Sequence, residues 1–545
     1  MGDKAQENLV LIELKQWSTV EPSNLEDYVF VDGGDGPDDY WHPSYQALNY
    51  ANIMRNFNVY VYEHKVGIEP CSYLHNMDKM NGQLLKDSRR YVAIDESPVF
   101  LKDDILKLRE FVHKYVRTPD RRSNDLLYEI DNSEVRPSAE FGKMLNDAIE
   151  GNPFFGFDRE QSFAVSKIVA EVNEAVKTGS RRAIIVRGAA RTGKSIVAIN
   201  ALGRLLNPKD GSSQKNACYV TANYSPRTYY GDILVNGDMK KSKIKFLFKS
   251  PAAFARCSDK DYHCILVDEA HRMFRWKFGL GIGKDVDLID KIFAASLVNV
   301  FFIDQDQAIT IDDYLTPELI KDYAAKYGST VIDDDRLTLT SQFRCIGGEQ
   351  YLDFVDHFLG FSNALFSLKG IHYKFKVCNS VKELVDIISK RNRGPDKGSR
   401  LLAGYTKDHD WVSHKHPEQY DFSYPEEGVY LRWNKIDKKR AALEDVDQAD
   451  RVFYVNMVQG MELEYAGVII GKDVTYNEKT GKVEFHHEEN AHTDKFSHIR
   501  TAPRDIGIRL IRNTYRVLLT RAVKGTYIFA EDPGLEKYLL ALSKN

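Results

Sequence analysis

Short apolar runs of strand length alternate along this chain with stretches whose apolar positions recur at helical spacing. That alternation predicts an α/β protein built on parallel sheets. Residues 181–188, RRAIIVRG, are one such run, closed by a glycine and followed after Gly193 by a helical pattern reaching residue 206. Further buried-type strands are predicted within 262–268, 298–303 and 401–405. At the front, LVLIEL (9–14) and FNVYVYEH (57–64) read as strands, and WHPSYQALNYANIM (41–54) as a loop running into a helix. In LKDDILKLREFVHKYV, Leu101, Ile105, Leu108, Val112 and Tyr115 share one helical face, which predicts a helix packed at a junction. The polar run RTPDRRSND (117–125) breaks it and reads as a linker or exposed loop.

Length and composition narrow the picture. A chain of 545 residues is long enough for several domains, each with its own core. With 43% hydrophobic and 28% charged residues it has the composition of a soluble globular protein. A net charge of -4 gives no global attraction to nucleic acid, so any such contact has to come from local basic patches. The six cysteines are scattered with no CxxC pair, which fits a reducing compartment rather than a disulfide framework or zinc site. No apolar run approaches the roughly 18 residues of a membrane span, and the N-terminus lacks a signal-peptide layout. The expected location is cytoplasmic, with no membrane partner.

The strongest chemical signal lies between the strand at 181–188 and the following helix, where GAARTGKS matches GxxxxGK[ST]. In such a loop, running from Gly188 through Thr192 and Gly193, backbone N–H groups and the helix N-terminus cradle phosphate oxygens. Lys194 neutralises the β and γ phosphates, and Ser195 ligates Mg²⁺. Glycine is required where a Cβ would block the close approach. YHCILVDEAHRMF (262–274) supplies the complement: Asp268 to hold the Mg²⁺ through water, and Glu269 to orient and deprotonate the attacking water.

From residue 154 to about 530 the order of motifs resembles that of the superfamily 1 helicases. FGFDREQSFAV stands ahead of the loop, where that family places a glutamine that reads the adenine edge; Gln161 is the match, and the resemblance implies ATP over GTP. ACYVTANYSP (217–226) is similar to the strand and loop that touch single-stranded nucleic acid. VNVFFIDQDQAI (298–309) offers Asp304 and Gln307, where the family couples γ-phosphate sensing to strand contacts. LTLTSQFRC offers Arg344, YVNMVQGMELEYAGVIIG offers Gln459, Gly460 and Glu462, and NTYRVLLTRAVKGTYIF offers Arg521. Two arginines from a separate lobe are what an NTPase needs to stabilise charge building on the γ-phosphate, and they make lobe closure depend on ATP. Two positions depart from the family pattern: Asn456 where many relatives carry histidine, and Ile303 where they often carry glycine. Within 239–250, Lys240, Lys241, Lys243, Lys245 and Lys249 interleave with Phe246 and Phe248. Phosphate tracking with base stacking, or a solvated amphipathic strand, are the two readings of that pattern. The stretch between Arg344 and Gln459 has room for an inserted module, with KRNRGPDKGSR (390–400) as an exposed connector.

The opening strand poses a separate question. Alternation puts Glu13 and Lys15 on one face, and Gln46 and Tyr50 lie one helical turn apart. An exposed strand and an amphipathic helix would also produce these spacings. The combination resembles the Glu-x-Lys strand and QxxxY helix of the PD-(D/E)XK nucleases, RecB-like members in particular, over roughly residues 1–95. The resemblance implies a Mg²⁺ held by Glu13 and a second acid, with Lys15 supporting the nucleophile. The only acid upstream at a suitable distance, Asp3, sits in a polar turn with no strand to carry it. The expectation is therefore that a longer natural form extends upstream, or that the metal site is damaged.

The expected architecture is an N-terminal restriction-endonuclease-like domain (1–95), truncated at its front, a helical junction (96–150), and two RecA-like parallel-sheet lobes (151–330 and 331–545), with an insertion at 346–455. The expected function is an ATP- and Mg²⁺-dependent DNA helicase or translocase with an associated nuclease, acting on single-stranded or partly duplex DNA. By analogy such fusions serve DNA repair or defence against foreign DNA. The rivals are an ATP-switched nucleic-acid-binding protein without unwinding or cleavage, and an RNA-directed helicase.

Overall fold

The computed structural model describes residues 7–33, 36–116, 123–133, 148–149, 159–189, 192–208, 212–222, 244, 246–257, 259–273, 286–304, 307–311, 315–340, 348–363, 365–371, 373–393, 398–406, 411–434, 450–458, 463–490 and 499–544. The front unit opens with β1 (Asn8–Lys15), followed by an antiparallel sheet of β2 (Glu21–Pro22), β3 (Tyr28–Gly33) and β4 (Gly36–Trp41). Helix α1 (Pro43–Phe57) follows, with His42 as its N-cap and Pro43 in its first turn. FNVYVYEH then departs from expectation: its alternation reads as a strand, yet Val59–His64 form a short helix, α2. Asn58 causes this, accepting from the Val61 N–H at 3.1 Å while donating to the Ile130 carbonyl at 2.7 Å. Local capping and a long-range bond override the periodicity.

The next strand is instead β5 (Gly67–Leu74), parallel to β1 with Glu13 opposite Ser72; β6 (Val99–Leu101) completes a three-stranded sheet. Helix α1 covers one face of this sheet, and α3 (Ile105–Tyr115) packs on the other through Leu108, Phe111 and Val112. Of the residues expected on the buried face of α3, Ile105 is exposed. Residues 117–122 of the expected linker lie outside the described residues, and Ser123–Asp131 form helix α4, which packs on α2.

The second body begins with α5 (Arg159–Thr178). Its seven-stranded parallel sheet contains β7 (Arg182–Gly188), β8 (Ala217–Thr221), β9 (Phe248–Lys249), β10 (Tyr262–Asp268), β11 (Ser296–Ile303), β12 (Thr330–Ile332) and β13 (Thr338–Leu339). The order runs β12-β7-β11-β10-β8-β9, with β13 also paired to β7. Helix α6 (Lys194–Leu206) follows β7 directly, and α7 (Leu288–Ala295) and α8 (Pro317–Lys326) help cover the faces. Strands buried on both sides are why β10 and β11 read as nearly continuous apolar runs, with Asn299 the buried polar exception in the middle of β11. Because β12 and β13 pair with β7, the division expected at 330 falls inside this sheet.

The third body is a second seven-stranded sheet, ordered β14-β22-β19-β15-β18-β17-β16. It comprises β14 (Lys374–Val377), β15 (Arg400–Ala403), β16 (Phe422–Tyr424), β17 (Val429–Trp433), β18 (Arg451–Tyr454), β19 (Leu463–Ile470) and β22 (Ala522–Ala530). All pairs are parallel except β16 with β17. A small hairpin of β20 (Val474–Asn477) and β21 (Lys482–Phe485) stands beside it. Among the described residues the longer helices that accompany the sheet are α9 (Gly348–Phe358), α10 (Val381–Arg393), α11 (Arg504–Leu519) and α12 (Pro533–Leu542), with single helical turns at Val412–Lys415 and Val455–Val458. The stretch 346–455 is thus no inserted module, since it supplies the body of the second lobe from α9 to β18. Of the connector at 390–400, the first residues end α10 and Arg400 opens β15, while 394–397 lie outside the described residues. The α/β class and the two parallel-sheet lobes are as expected from the sequence.

The front unit shares a core with the first lobe. Leu25, Tyr28, Trp41, Tyr45 and Leu48 pack in one cluster with Phe163, Ile168 and Val197, and Tyr28 meets Phe163 edge-on at 6.3 Å between ring centroids. Arg204, near the C-terminal end of α6, donates to Glu26 Oε2 and to Asp27 Oδ2, each at 3.0 Å. Burial alone would disfavour the Arg204 charge, but the two carboxylates outweigh it and hold the guanidinium ionised. Asp27 is itself buried and sits at φ 65, a left-handed conformation that costs energy and that this contact helps hold. Removing one partner of a buried pair is far costlier than the pair is worth, because a charge is left stranded. Arg204→Ala is therefore expected to lower the unfolding free energy by about 3 kcal/mol in urea titrations near neutral pH. A loss too small to measure would contradict this account of the junction.

Candidate functional site

Strand β7 ends at Gly188 and α6 starts at Lys194, so the loop between them delivers backbone N–H groups at a helix N-terminus. Gly193, the N-cap, has φ 82, and a Cβ there would stand 2.3 Å from Gln161 Nε2. A Cβ on Gly188 would stand 2.3 Å from Thr192 Oγ1. Both glycines leave space that a side chain would fill. Lys194 Nζ donates to the carbonyls of Gly188 and Ala189, each at 2.7 Å, and lies 3.9 Å from Asp304 Oδ2. Gln161 donates to the Thr192 carbonyl at 2.8 Å, so this side chain braces the phosphate loop. Residues 190–191 of the loop lie outside the described residues.

The carboxyl end of β10 brings the acidic pair to the same place. Asp268 Oδ2 accepts from Ser195 Oγ and from the Tyr219 hydroxyl, each at 2.5 Å, and Oδ1 accepts from the Glu269 N–H at 2.9 Å. Burial and the neighbouring Glu269 push the Asp268 carboxyl up, against the two hydroxyl bonds and Lys194. Glu269 adopts a left-handed conformation at φ 51, ψ 46, strain of the kind that gathers at functional sites. Its carboxylate lies 3.1 Å from His271 Nε2. Burial would raise its pKa, but the His271 contact and the charges of Lys194 and Arg521 together hold it below the usual carboxylate range.

The donors suit a nucleotide phosphate with its Mg²⁺. A cradle kept open by glycine, an ammonium resting on carbonyls that phosphate oxygens can replace, and Ser195 and Asp268 oxygens converging on one point form a matched set.

The first lobe is tied to the second around this site. The Asp304 N–H donates to His271 Nδ1 at 3.3 Å, and Gln307 Nε2 donates to Asp304 Oδ2 at 2.6 Å. Beyond Gln307, the Ala308 carbonyl accepts from Asn513 Nδ2 at 2.8 Å, and Ile309 packs in the core of the second lobe. Arg272 Nη1 reaches Asn456 Oδ1 at 3.4 Å, so the position that departs from the helicase pattern still bridges the lobes. Ile303, the other departure, is a buried core residue. Arg521, buried just before β22, donates from Nε to the Val517 carbonyl at 3.1 Å, and its charge acts on Glu269. Arg344, Gln459, Gly460 and Glu462 lie outside the described residues.

In the front unit Lys15 Nζ lies 2.9 Å from Glu13 Oε1 and donates to Gln46 Oε1 at 2.8 Å, while Gln46 Nε2 donates to the Tyr50 hydroxyl at 3.3 Å. The Glu-x-Lys strand and the QxxxY helix thus meet side chain to side chain. Glu13 and Lys15 are largely covered on the α1 side, whereas Ile12 and Leu14 are exposed on the α3 side, the reverse of an ordinary outer strand. Asp3 lies outside the described residues. Among the described residues no group of three or more His, Cys, Asp or Glu side chains is placed to hold a metal ion. Of the basic segment at 239–250, Lys240, Lys241, Lys243 and Lys245 lie outside the described residues. Phe248 is buried against Tyr219, and Lys249 lies 5.3 Å from the ring of exposed Phe246. Among the described residues no helix is long and apolar enough to cross a membrane.

Sequence reasoning missed Tyr219, His271, Arg272 and Asn513. His271 and Arg272 follow the acidic pair directly and were within reach of motif reading; Tyr219 and Asn513 act across the fold and carry no local signal.

A phosphate loop after β7, an acidic pair at the end of β10, two strands away in the same sheet, and an arginine from a second parallel-sheet lobe mark the fold of a helicase-type, nucleic-acid-dependent ATPase. The chain belongs to the family described as Schlafen group 3, DNA/RNA helicase domain, whose profile matches residues 181–532. It is similar to a Saccharomyces cerevisiae protein described as uncharacterized protein YPL245W, at 23% identity over 411 residues, covering 66% of this chain and 84% of that one. Among solved structures it is similar to S. cerevisiae Dbp5 bound to RNA and ADP BeF3, with 12% identity, 74% of this chain and 90% of that chain covered, and a TM-score of 0.34. It is also similar to the arterivirus nonstructural protein 10 helicase with DNA, with 12% identity, 68% and 66% covered, and a TM-score of 0.28.

Gly193→Ala forces a side chain into a left-handed position and into Gln161. It is expected to weaken binding of a fluorescent ADP analogue by about five- to 150-fold, the equivalent of the 1–3 kcal/mol such strain costs. Unchanged affinity would show that the loop does not receive phosphate.

Proposed function

We propose that this chain is an ATP-driven helicase or translocase whose track is single-stranded or partly duplex DNA, and that its front unit carries a metal-dependent phosphodiesterase site. The observation that carries the motor reading is that the Lys194 loop and the Ser195–Asp268 pair stand where the first lobe is bonded to the second, through Asn513 to the Ala308 carbonyl and Arg272 to Asn456, with Lys194 and Arg521, one from each lobe, among the charges that hold the Glu269 carboxyl low. A γ-phosphate bound there lies between the two cations. Lys194 leaves its carbonyl partners for the phosphate oxygens, Glu269 takes the proton of the attacking water, and Arg521 meets the charge that builds on the transferring group. Ser195 and Asp268 would hold a Mg²⁺ that arrives with the nucleotide, and the ion would add to the neutralisation of the phosphates. Loss of the γ-phosphate removes the group both lobes share, and the Asn513–Ala308 and Arg272–Asn456 contacts carry the change between them.

For the front unit, the support is the Glu13–Lys15–Gln46–Tyr50 contact, which sets a carboxylate beside an ammonium oriented by a second helix. Glu13 would hold the metal and Lys15 would stabilise the nucleophile or the phosphorane charge.

Both readings have direct tests. ATP hydrolysis by the full chain is expected to rise with added single-stranded DNA and to separate a tailed duplex. Lys194→Ala and Arg521→Ala should each lower turnover about a thousandfold, the low end of what an arginine finger supplies. Slow hydrolysis indifferent to nucleic acid would point instead to an ATP-driven binding switch, and stimulation by RNA alone to an RNA track. Separately, Mg²⁺- or Mn²⁺-dependent cleavage of DNA should disappear in Glu13→Ala while ATP turnover persists. Cleavage that survives this substitution would remove the front unit from the chemistry.

A further inference from the structure

Among the described residues Asp268 has three hydrogen-bond donors, and they differ in what a bound cation would do to them. The Ser195 hydroxyl points its proton at Asp268 Oδ2 at 2.5 Å; to ligate Mg²⁺ it has to turn that proton away and offer a lone pair. The Glu269 N–H on Oδ1, at 2.9 Å, belongs to the backbone. The third donor is the Tyr219 hydroxyl, 2.5 Å from Oδ2. It belongs to none of the motifs that define the nucleotide site.

We propose that Tyr219 is a positioning residue for the metal-side carboxylate, its phenol fixing Asp268 so that Asp268 and Ser195 together receive the cation of a bound nucleotide. This rests on the ATPase reading of the site and deepens it.

The placement follows from sheet register. Strands β8 and β10 run parallel with Tyr219 opposite Leu266 and Thr221 opposite Asp268. Residues two apart share a face, so Tyr219, Leu266 and Asp268 project to the same side. A tyrosine two residues short of the position opposite Asp268 is long enough to carry its hydroxyl to the strand end, where a serine or threonine would fall short. The ring is fully buried and packs on Phe248 at 5.2 Å between centroids, which fixes where the hydroxyl stands. Because that ring is anchored in the first-lobe core, the hydroxyl can stay on Asp268 while Ser195 turns to the metal. Outer partners of metal ligands typically contribute a 10- to 100-fold effect on metal affinity by orienting the ligand.

Tyr219→Phe keeps the ring and removes the hydroxyl that donates to Asp268. In the full chain with ADP, Mn²⁺ titration followed by electron paramagnetic resonance is expected to show affinity weakened about tenfold, whereas metal-free binding of a fluorescent ADP analogue stays as in the wild type and the melting temperature falls only modestly, by the loss of one buried hydrogen bond. Ser195→Ala serves as the reference and should weaken Mn²⁺ binding at least as much. If Ser195→Ala weakens Mn²⁺ binding and Tyr219→Phe does not, Tyr219 is a core residue only and the proposal falls while the ATPase reading stands. If neither variant changes Mn²⁺ binding, the metal assignment of Ser195 and Asp268 fails and takes the proposal with it. Should the phenylalanine variant fold poorly, site-specific 3-fluorotyrosine at 219, which keeps the ring and strengthens the donor, is expected to match or exceed wild-type Mn²⁺ affinity. A weakening there would overturn the proposal.

Discussion

Parallel, in-register pairing of β8, β10, β11 and β7 sends the carboxyl ends of all four strands to one edge of the first sheet. That edge carries Thr221, Asp268, Asp304 just past β11, and Gly188, and the chemistry of the lobe depends on it. A slip of one residue in any pair would turn the acidic side chains to the other face. With the register kept, the β7–α6 turn presents N–H groups and Lys194 to the same point that Asp268 and Glu269 reach from β10. Cavities at the carboxyl ends of parallel strands are the usual ligand sites of such sheets. Here the opposite wall is the second lobe, which brings Arg521 close enough for its charge to bear on Glu269.

The same edge explains how one lobe senses the other. His271 touches Glu269 through one ring nitrogen and accepts from the Asp304 backbone through the other; Asp304 bonds Gln307; and the residues that follow enter the second lobe's core. Each link is short, and most involve buried groups, where hydrogen bonds are strong and their absence is costly.

How legible the molecule was in its sequence depended on how local the determining physics is. The strand–glycine loop–helix unit at 182–206 and the strand ending in Asp268 were readable because each residue type is demanded by its immediate neighbours and by phosphate geometry. The alternation of FNVYVYEH misled, because the deciding contact, Asn58 with Ile130, joins residues far apart in the chain. The stretch before Gln459 looked like room for an insertion because its strands are short and divided by polar loops; only pairing reveals them as neighbours in one sheet. Tyr219 carried no signal, since a tyrosine in an apolar strand is ordinary until the adjacent strand's register is known. Glu13, Lys15, Gln46 and Tyr50 meet side chain to side chain, while Asp3 lies outside the described residues.

The common core of the front unit and the first lobe bears on how such a chain is inherited. Phe163 and Arg204 sit on helices that also brace or begin the phosphate loop, yet their partners, Tyr28, Glu26 and Asp27, come from the other side of the junction. Recombination that swapped one front unit for another would need to import a matching aromatic and a matching pair of acids, or leave a guanidinium stranded in the shared core. The two parts are therefore expected to pass between lineages as a single piece, with compensating changes on either side of the seam rather than free exchange across it.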